Sequence, residues 1–146
     1  MFMAVFAAVN ESIWEHMKLL VMPIFFFTVV QVWVQGEIYP NITAVRPVTM
    51  TVGALTIPTL YYTYTGALGV QAGWVNIAIF YLTTAGTFAL DYRLLRTGRP
   101  TASWAQLLGV AAVWGLVFLF VWCTFRPVPL PLWQDPVTGL YGIRGI

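Results

Sequence analysis

The feature that most constrains this chain is a series of four long apolar segments separated by short polar connections. They cover about residues 13–34, 48–65, 74–90 and 104–125. A helix that crosses a bilayer needs about 20 mostly apolar residues, and the four segments reach or nearly reach that length. Their apolar residues do not alternate with polar ones, as they would in the strands of an outer-membrane barrel. The sequence therefore predicts an all-α transmembrane bundle of about four helices.

The scarcity of charge excludes most other classes of protein. Only 8% of the 146 residues are charged and 60% are hydrophobic, whereas a soluble domain carries about 25% charged residues. Disorder requires the opposite composition, and Cys123 is the only cysteine, which excludes a disulfide-stapled domain. The net charge of +2 comes without a basic stripe, so no nucleic-acid partner is expected. We therefore expect residues 1–146 to form one integral membrane domain whose partner is the lipid bilayer.

Three arginines between the third and fourth segments indicate the orientation. Arg93, Arg96 and Arg99 lie close together in a predicted loop, and Arg46 is expected in the other loop on the same side. Short loops rich in arginine and lysine usually stay in the cytoplasm. The Arg93–Arg99 loop is therefore predicted to be cytoplasmic, and the N-terminus and C-terminal tail to face outward. The basic residues that weigh against this orientation are Lys18, Arg126 and Arg144.

The most polar stretch of the chain opens the first predicted span. On a helix, Glu11, Glu15 and Lys18 would share one narrow arc, and Ser12 and His16 would lie beside it. Charged groups at membrane depth are costly and usually functional, which makes this stretch a candidate for chemistry. The plainer interpretation is a helix start, in which Ser12 and Glu15 form a capping box and Glu15 pairs with Lys18. Both interpretations are open at this point.

Two further polar motifs lie at the end of the second span and after the fourth span. Tyr61–Gly66 carries hydroxyls that could reach a carboxylate or an ion, or that could belong to an aromatic belt at the interface. Residues 126–146 begin with three alternating prolines, which stiffen a chain towards polyproline II, and continue into a turn centred on Asp135. This tail is predicted to be an arm folded over one membrane face, or else a simple stop and turn.

These motifs are expected to meet at one face of the membrane. In an up-and-down bundle, four parts of the chain lie at the same end: the start of the first helix, the end of the second, the start of the third and the tail. The candidate ligand-binding residues of the resulting pocket are Glu11, Glu15, His16, Lys18, Tyr62, Tyr64, Asn76, Arg126 and Asp135. The catalytic candidates are His16, Glu15 and Lys18, and the metal-ligand candidates are Glu11, Glu15, His16 and Asp135. Such a carboxylate-rich set would suit a harder ion than zinc, and the sequence specifies no cofactor.

Three stretches of the chain resemble the signatures of a small prokaryotic integral membrane protein family of uncharacterised function. They are residues 10–19, 62–66 and 131–143, which include the patterns Asn-Glu-Ser-x-Trp-Glu-His-x-Lys and Asp-Pro-x-Thr-Gly-x-Tyr-Gly-Ile. The resemblance extends from about Val5 to Ile143, with the motifs in the same order.

This resemblance supplies positions to test but no activity. Members of the family carry a further N-terminal helix, so Met1–Val9 would be its remainder in a shorter member or in a fragment. They also carry an acid where this chain has Asn76, which lowers the negative charge of any site here. The positions that the resemblance supports are Glu11, Glu15, His16, Lys18, Tyr64 and Asp135.

Three functions from different classes fit these residues. The first is a polar site at one membrane face that binds an ion, a proton or a small polar solute, as in a small transporter or sensor. The second is an interfacial enzyme, with or without a metal, that acts on a lipid-borne substrate with His16 as general base. The third is a structural or accessory membrane subunit whose tail docks a partner. Four spans are few for a transporter, so that function would call for a homo-oligomer or a partner membrane subunit.

Overall fold

The computed structural model describes residues 2–143, which contain four α-helices joined by short connections. The helices are α1 (Ile13–Gln35), α2 (Ile42–Leu68), α3 (Gly73–Leu95) and α4 (Ser103–Phe125). One turn of 3-10 helix, Phe2–Val5, precedes them. In the described part of the chain the only β-pairing is an isolated bridge between Gln134 and Tyr141. The predicted all-α helical bundle is therefore confirmed.

The inner two helices are longer than the sequence predicted. α1 and α4 match the expected bounds within one residue, but α2 begins at Ile42 and α3 ends at Leu95. The expectation that Arg46, Asp91 and Arg93 lie in loops is thus wrong, because all three lie within helices. α2 continues through two internal prolines, Pro47 and Pro58, which is possible when neighbouring groups take up the freed carbonyls. The charges of Arg46 and Asp91 are paired inside the bundle.

Three helices, α1, α3 and α4, are long and apolar enough to cross a membrane. α2 is the longest, with 27 residues, but its seven threonines make it less apolar than the others. Several of these threonines donate their hydroxyl hydrogen to a carbonyl four residues earlier: Thr56, Thr59, Thr63 and Thr65. Hydroxyls bonded in this way do not need water, so α2 also suits an apolar environment.

α2 is the centre of the bundle, because it packs against each of the other three helices. α1 also contacts α4 and, to a smaller extent, α3, whereas α3 and α4 do not pack against each other within residues 2–143. Two glycines allow close approach. A Cβ atom added at Gly109 of α4 would overlap the Thr43 carbonyl of α2, and one at Gly53 of α2 would overlap the Thr87 hydroxyl of α3.

Short connections keep sequential helices antiparallel, so the helix termini collect at two ends. The arm end is where α1 and α3 begin and α2 and α4 finish. The arginine end is where α1 and α3 finish, and it carries Arg93, Arg96 and Arg99. At the arm end the indole of Trp14 is stacked between Phe120 and Trp133, with ring centroids 4.4 Å and 4.6 Å away.

Candidate functional site

The C-terminal arm, described over residues 126–143, lies against the start of α1. The backbone N–H of Trp14 donates to the carbonyl of Leu132 at 3.1 Å. The side-chain amide of Asn10 donates to the carbonyl of Gly142 at 3.0 Å. The first and last motifs of the sequence are therefore in direct contact.

Asp135 is engaged inside the arm itself. Its side chain accepts hydrogen bonds from the Val137 N–H at 2.9 Å and from the Thr138 hydroxyl at 2.7 Å, and the residue is only 4% exposed. Its own N–H donates to the Leu140 carbonyl at 2.9 Å. The turn signal in the sequence is thus confirmed, and the Asp135 carboxylate serves that turn.

Glu15 and Lys18 form an ion pair buried in the bundle. The Lys18 ammonium lies 2.5 Å from the Glu15 carboxylate, and the side chains are 0% and 3% exposed respectively. The Thr124 hydroxyl of α4 donates to Glu15 at 3.1 Å and accepts from Lys18 at 3.0 Å. The N-terminal segment completes the cluster, because Lys18 donates to the Ala4 carbonyl at 2.8 Å and the Val9 N–H donates to Glu15 at 3.2 Å. Both charges are therefore satisfied by fixed protein groups.

The helix start accounts for two more polar residues. The Ser12 hydroxyl accepts from the Glu15 N–H at 3.4 Å, so Ser12 is the N-cap of α1 and is buried. Because α1 begins at Ile13, Glu11 precedes the helix. The expectation that Glu11 shares a helix face with Glu15 and Lys18 is therefore wrong.

Glu11 instead lies beside His16, on the accessible side of the helix start. The distance from His16 Nε2 to the Glu11 carboxylate is 3.7 Å, and the two side chains are 33% and 69% exposed. His16 Nδ1 lies 2.9 Å from the Ser12 carbonyl. A carbonyl only accepts hydrogen bonds, so Nδ1 carries the hydrogen and Nε2 of the neutral ring is an acceptor. When the ring is neutral, two acceptors, the imidazole Nε2 and the carboxylate, stand side by side, and when Nε2 also carries a hydrogen the two groups form an ion pair.

Glu11 and His16 line two cavities that also share Asn76 and Phe80 and are together called the His16 groove. The smaller cavity is called its deep part and the larger cavity its open part. The deep part has a volume of about 40 Å³ and is lined by Glu11, Ile13, His16, Ile57, Tyr61, Asn76, Ile79, Phe80 and Pro136. The open part has a volume of about 410 Å³ and is lined by Glu11, His16, Leu19, Gly73, Asn76, Ile77, Phe80 and Tyr81. Residues from α1, α2, α3 and the arm meet at the deep part.

The second motif, Tyr61–Gly66, and Asn76 supply some but not all of the side chains that were expected in the His16 groove. The Tyr64 hydroxyl donates to Asn76 Oδ1 at 2.5 Å, which orients the amide of a groove residue. Tyr62 lines a neighbouring cavity with Gln134 of the arm, and Tyr61 occupies the place in the groove that was expected for Tyr62. Arg126 is exposed at the end of α4, outside the His16 groove.

The candidate metal ligands are not gathered at one point. Among residues 2–143, no group of three or more His, Cys, Asp and Glu side chains is placed to hold a metal ion. Glu11 and His16 are adjacent, but Glu15 is engaged with Lys18, and Asp135 with its own turn. The expected set of four ligands therefore does not form.

A second buried ion pair lies at the arginine end and was not foreseen. The Arg46 guanidinium of α2 lies 3.1 Å from the Asp91 carboxylate of α3, and the side chains are 1% and 6% exposed. The Thr49 hydroxyl donates to Asp91 at 3.1 Å, and Arg46 also donates to the Gln31 amide oxygen of α1. The sequence does carry one signal for this pair. Arg46 lies just before the second apolar segment and Asp91 just after the third, and these two segment ends are adjacent in an antiparallel bundle.

Comparison with known sequences places the chain in a family. A sequence model of a family of unknown function (DUF6512) matches residues 1–143, so the chain belongs to this family. No curated protein and no solved structure matches the chain. The expected membership of an uncharacterised family is thus confirmed, and it assigns no activity.

Proposed function

We propose that this protein is a multi-pass membrane protein whose His16 groove binds a small cation that donates hydrogen bonds, with a primary ammonium group as the best fit. The supporting observation is the pair of acceptors formed by His16 Nε2 and the Glu11 carboxylate, 3.7 Å apart. Two neighbouring acceptors are complemented by a group that brings hydrogen donors and positive charge. A proton would satisfy the same pair by lying on Nε2, and an ammonium group would bridge both atoms.

The size and walls of the groove support this ligand. The deep part, at about 40 Å³, has room for an ammonium head or a few water-sized groups. Tyr61 and Phe80 line it, and aromatic faces stabilise nearby cations. The open part, at about 410 Å³, would hold the remainder of a small amine.

The membrane topology follows from the lengths of the helices. α2 has 27 residues and is about 40 Å long, which exceeds the hydrocarbon core of about 30 Å. Because α2 is joined to α1 and α3 by short connections and packs along both, we expect all four helices to cross the membrane.

The orientation depends on the charges left outside the bundle. Lys18 and Arg46 are buried in ion pairs and therefore no longer count as loop charges. Among the described residues, the basic side chains left exposed are Arg93, Arg96 and Arg99 at one end and Arg126 at the other, while Arg144 lies outside the described residues. We expect the arginine end to be cytoplasmic and the His16 groove to open on the opposite side.

Binding fits the geometry better than catalysis does. Among the three catalytic candidates, His16 is accessible, whereas Glu15 and Lys18 are held by each other and by Thr124. Ser12, the nearest hydroxyl to His16 in the helix start, is a buried N-cap.

The test is equilibrium binding of isotope-labelled methylammonium to the purified protein in lipid nanodiscs. Glu11→Gln keeps the size of the side chain but removes its charge, so binding should weaken about tenfold. Glu37→Gln is the matched control, because Glu37 is an exposed acid in the connection at the arginine end, and it should leave binding unchanged. Equal binding by the wild type and Glu11→Gln, or none by the wild type, would contradict the proposal.

A further inference from the structure

Three arginines at the arginine end have no acidic partner among residues 2–143. Arg93 lies in the last turn of α3, Arg96 directly follows the helix, and Arg99 lies in the connection to α4. All three are exposed, and the ion pairs of the described chain involve other residues. Three exposed guanidinium groups without an acidic partner therefore lie within seven residues of the chain, where they could bind an anion.

Capping of the helix does not explain these arginines. Basic side chains near a helix C-terminus often satisfy its last carbonyls. Here the Leu94 carbonyl accepts from the Asn41 amide at 3.1 Å and from the Thr97 N–H at 3.1 Å. The Leu95 carbonyl accepts from the Gly98 N–H at 3.0 Å. The end of α3 is therefore closed without help from a guanidinium group.

The segment that carries the arginines is held in place by a buried amide. Asn41, at the start of α2, is 0% exposed. Its side-chain amide donates to the carbonyls of Leu94 and Arg99, at 3.1 Å and 3.0 Å. One residue thus ties both sides of the turn to the bundle. A binding surface that is already ordered loses less conformational entropy when a ligand arrives.

Two of the arginines, Arg93 and Arg96, border a concave surface on the side of α3. It is open, has a volume of about 480 Å³, and is lined by Ala89, Tyr92, Arg93, Arg96 and Thr97. The Arg96 guanidinium lies over the Tyr92 ring, 5.6 Å from its centroid. Arginine presents a planar fork of donors that matches the oxygens of a phosphate group. The chemistry of this surface therefore fits a phosphate.

The exposed apolar face of α3 beside these arginines favours a lipid, and not a free ion, as the molecule that carries the phosphate. Only 11% of the apolar part of α3 is buried inside the bundle, and Leu82 is 70% exposed. We propose that Arg93 and Arg96 bind the phosphate headgroup of an anionic phospholipid whose chains lie along the exposed face of α3. A free phosphate would use the same guanidinium groups but would leave that apolar face without a partner.

The test compares lipids by native mass spectrometry of the detergent-purified full chain. Phosphatidylglycerol and phosphatidylcholine are titrated separately, and inorganic phosphate is added as a competitor. The wild type should retain phosphatidylglycerol in preference to phosphatidylcholine. The double variant Arg93→Gln and Arg96→Gln should lose at least about fivefold in phosphatidylglycerol binding, because each basic group near an anionic surface contributes about that much.

Arg126→Gln is the matched control, since Arg126 is an exposed arginine at the arm end. It should bind phosphatidylglycerol as the wild type does, and all three proteins should melt at similar temperatures because the altered side chains are exposed. Equal retention of the two lipids by the wild type, or unchanged binding by the double variant, would overturn the proposal. Displacement of phosphatidylglycerol by an equal concentration of inorganic phosphate would overturn the assignment to a lipid.

Discussion

The two ends of the bundle each bury one ion pair, and the two pairs are built differently. At the arm end, Glu15 and Lys18 lie one turn apart on α1. At the arginine end, Arg46 of α2 pairs with Asp91 of α3. Among the described residues, the first pair reaches another α-helix only through the neutral hydroxyl of Thr124, whereas in the second pair the charges themselves join two α-helices.

This difference implies different consequences when a partner is lost. Without Lys18, the Glu15 carboxylate still accepts from the Val9 N–H and the Thr124 hydroxyl. Without Asp91, Arg46 keeps the amide of Gln31, and its buried Nε has no hydrogen-bond partner. A buried charge is most costly when it lacks both a counter-ion and hydrogen bonds. The arginine end should therefore be the more sensitive of the two.

The largest effect is expected for Asp91→Asn, which keeps the shape of the side chain but removes the counter-charge of Arg46. The free energy of unfolding should fall by about 3–5 kcal/mol, because an unpaired charge remains buried. Unfolding by sodium dodecyl sulfate in mixed micelles measures this quantity. Arg46→Met combined with Asp91→Leu should restore most of the loss, since a buried pair can often be replaced by apolar groups. A loss below about 1 kcal/mol in Asp91→Asn would show that the pair is not buried as described.

An effect of intermediate size is expected where α4 meets α2 near the arginine end. In Gly109→Ala the new Cβ would overlap the Thr43 carbonyl, so the helices must separate, at a cost of about 3 kcal/mol. Gly115→Ala is the matched control in the same helix, because no atom lies within 4 Å of its new Cβ. Alanine there should be neutral or stabilise α4 by about 0.5–1 kcal/mol. Thermal melting of both variants in detergent gives the comparison, and similar melting temperatures would contradict the close approach.

The smallest of these effects is expected for Lys18→Met at the arm end. The loss should be about 2 kcal/mol, because Glu15 keeps two donors. The change should also be local, since Lys18 holds the N-terminal segment through the Ala4 carbonyl. Hydrogen exchange should therefore rise in residues 4–8 and stay unchanged at Val9, whose N–H is held by Glu15, and in α2 and α3. An equal rise in hydrogen exchange across all four helices would contradict the proposed difference in sensitivity between the two ends of the bundle.

The sequence predicts the local pair and not the distant one for a physical reason. Glu15 and Lys18 are neighbours on any helix that contains both, so spacing alone brings them together. Arg46 and Asp91 meet only because two helices pack side by side, and both lie beyond the expected ends of the apolar segments 48–65 and 74–90.

The His16 groove shows the same limit of prediction at the level of single residues. The four chain segments that build it were predicted from topology, and so were Glu11, His16 and Asn76. Tyr61 stands in the deep part where Tyr62 was expected, and Pro136 where Asp135 was expected. Adjacent residues on a helix point about 100° apart, so a motif locates a site without showing which of two neighbours faces it.

The most direct test of the binding site is the nitrogen-15 NMR spectrum of its imidazole. His16 is the only histidine in the chain, so labelled histidine gives a single pair of ring signals. The neutral ring is predicted to carry its hydrogen on Nδ1, and methylammonium should shift the Nε2 signal, by less in Glu11→Gln than in the wild type. A hydrogen on Nε2, or ring signals that methylammonium leaves unchanged, would contradict the proposed cation site.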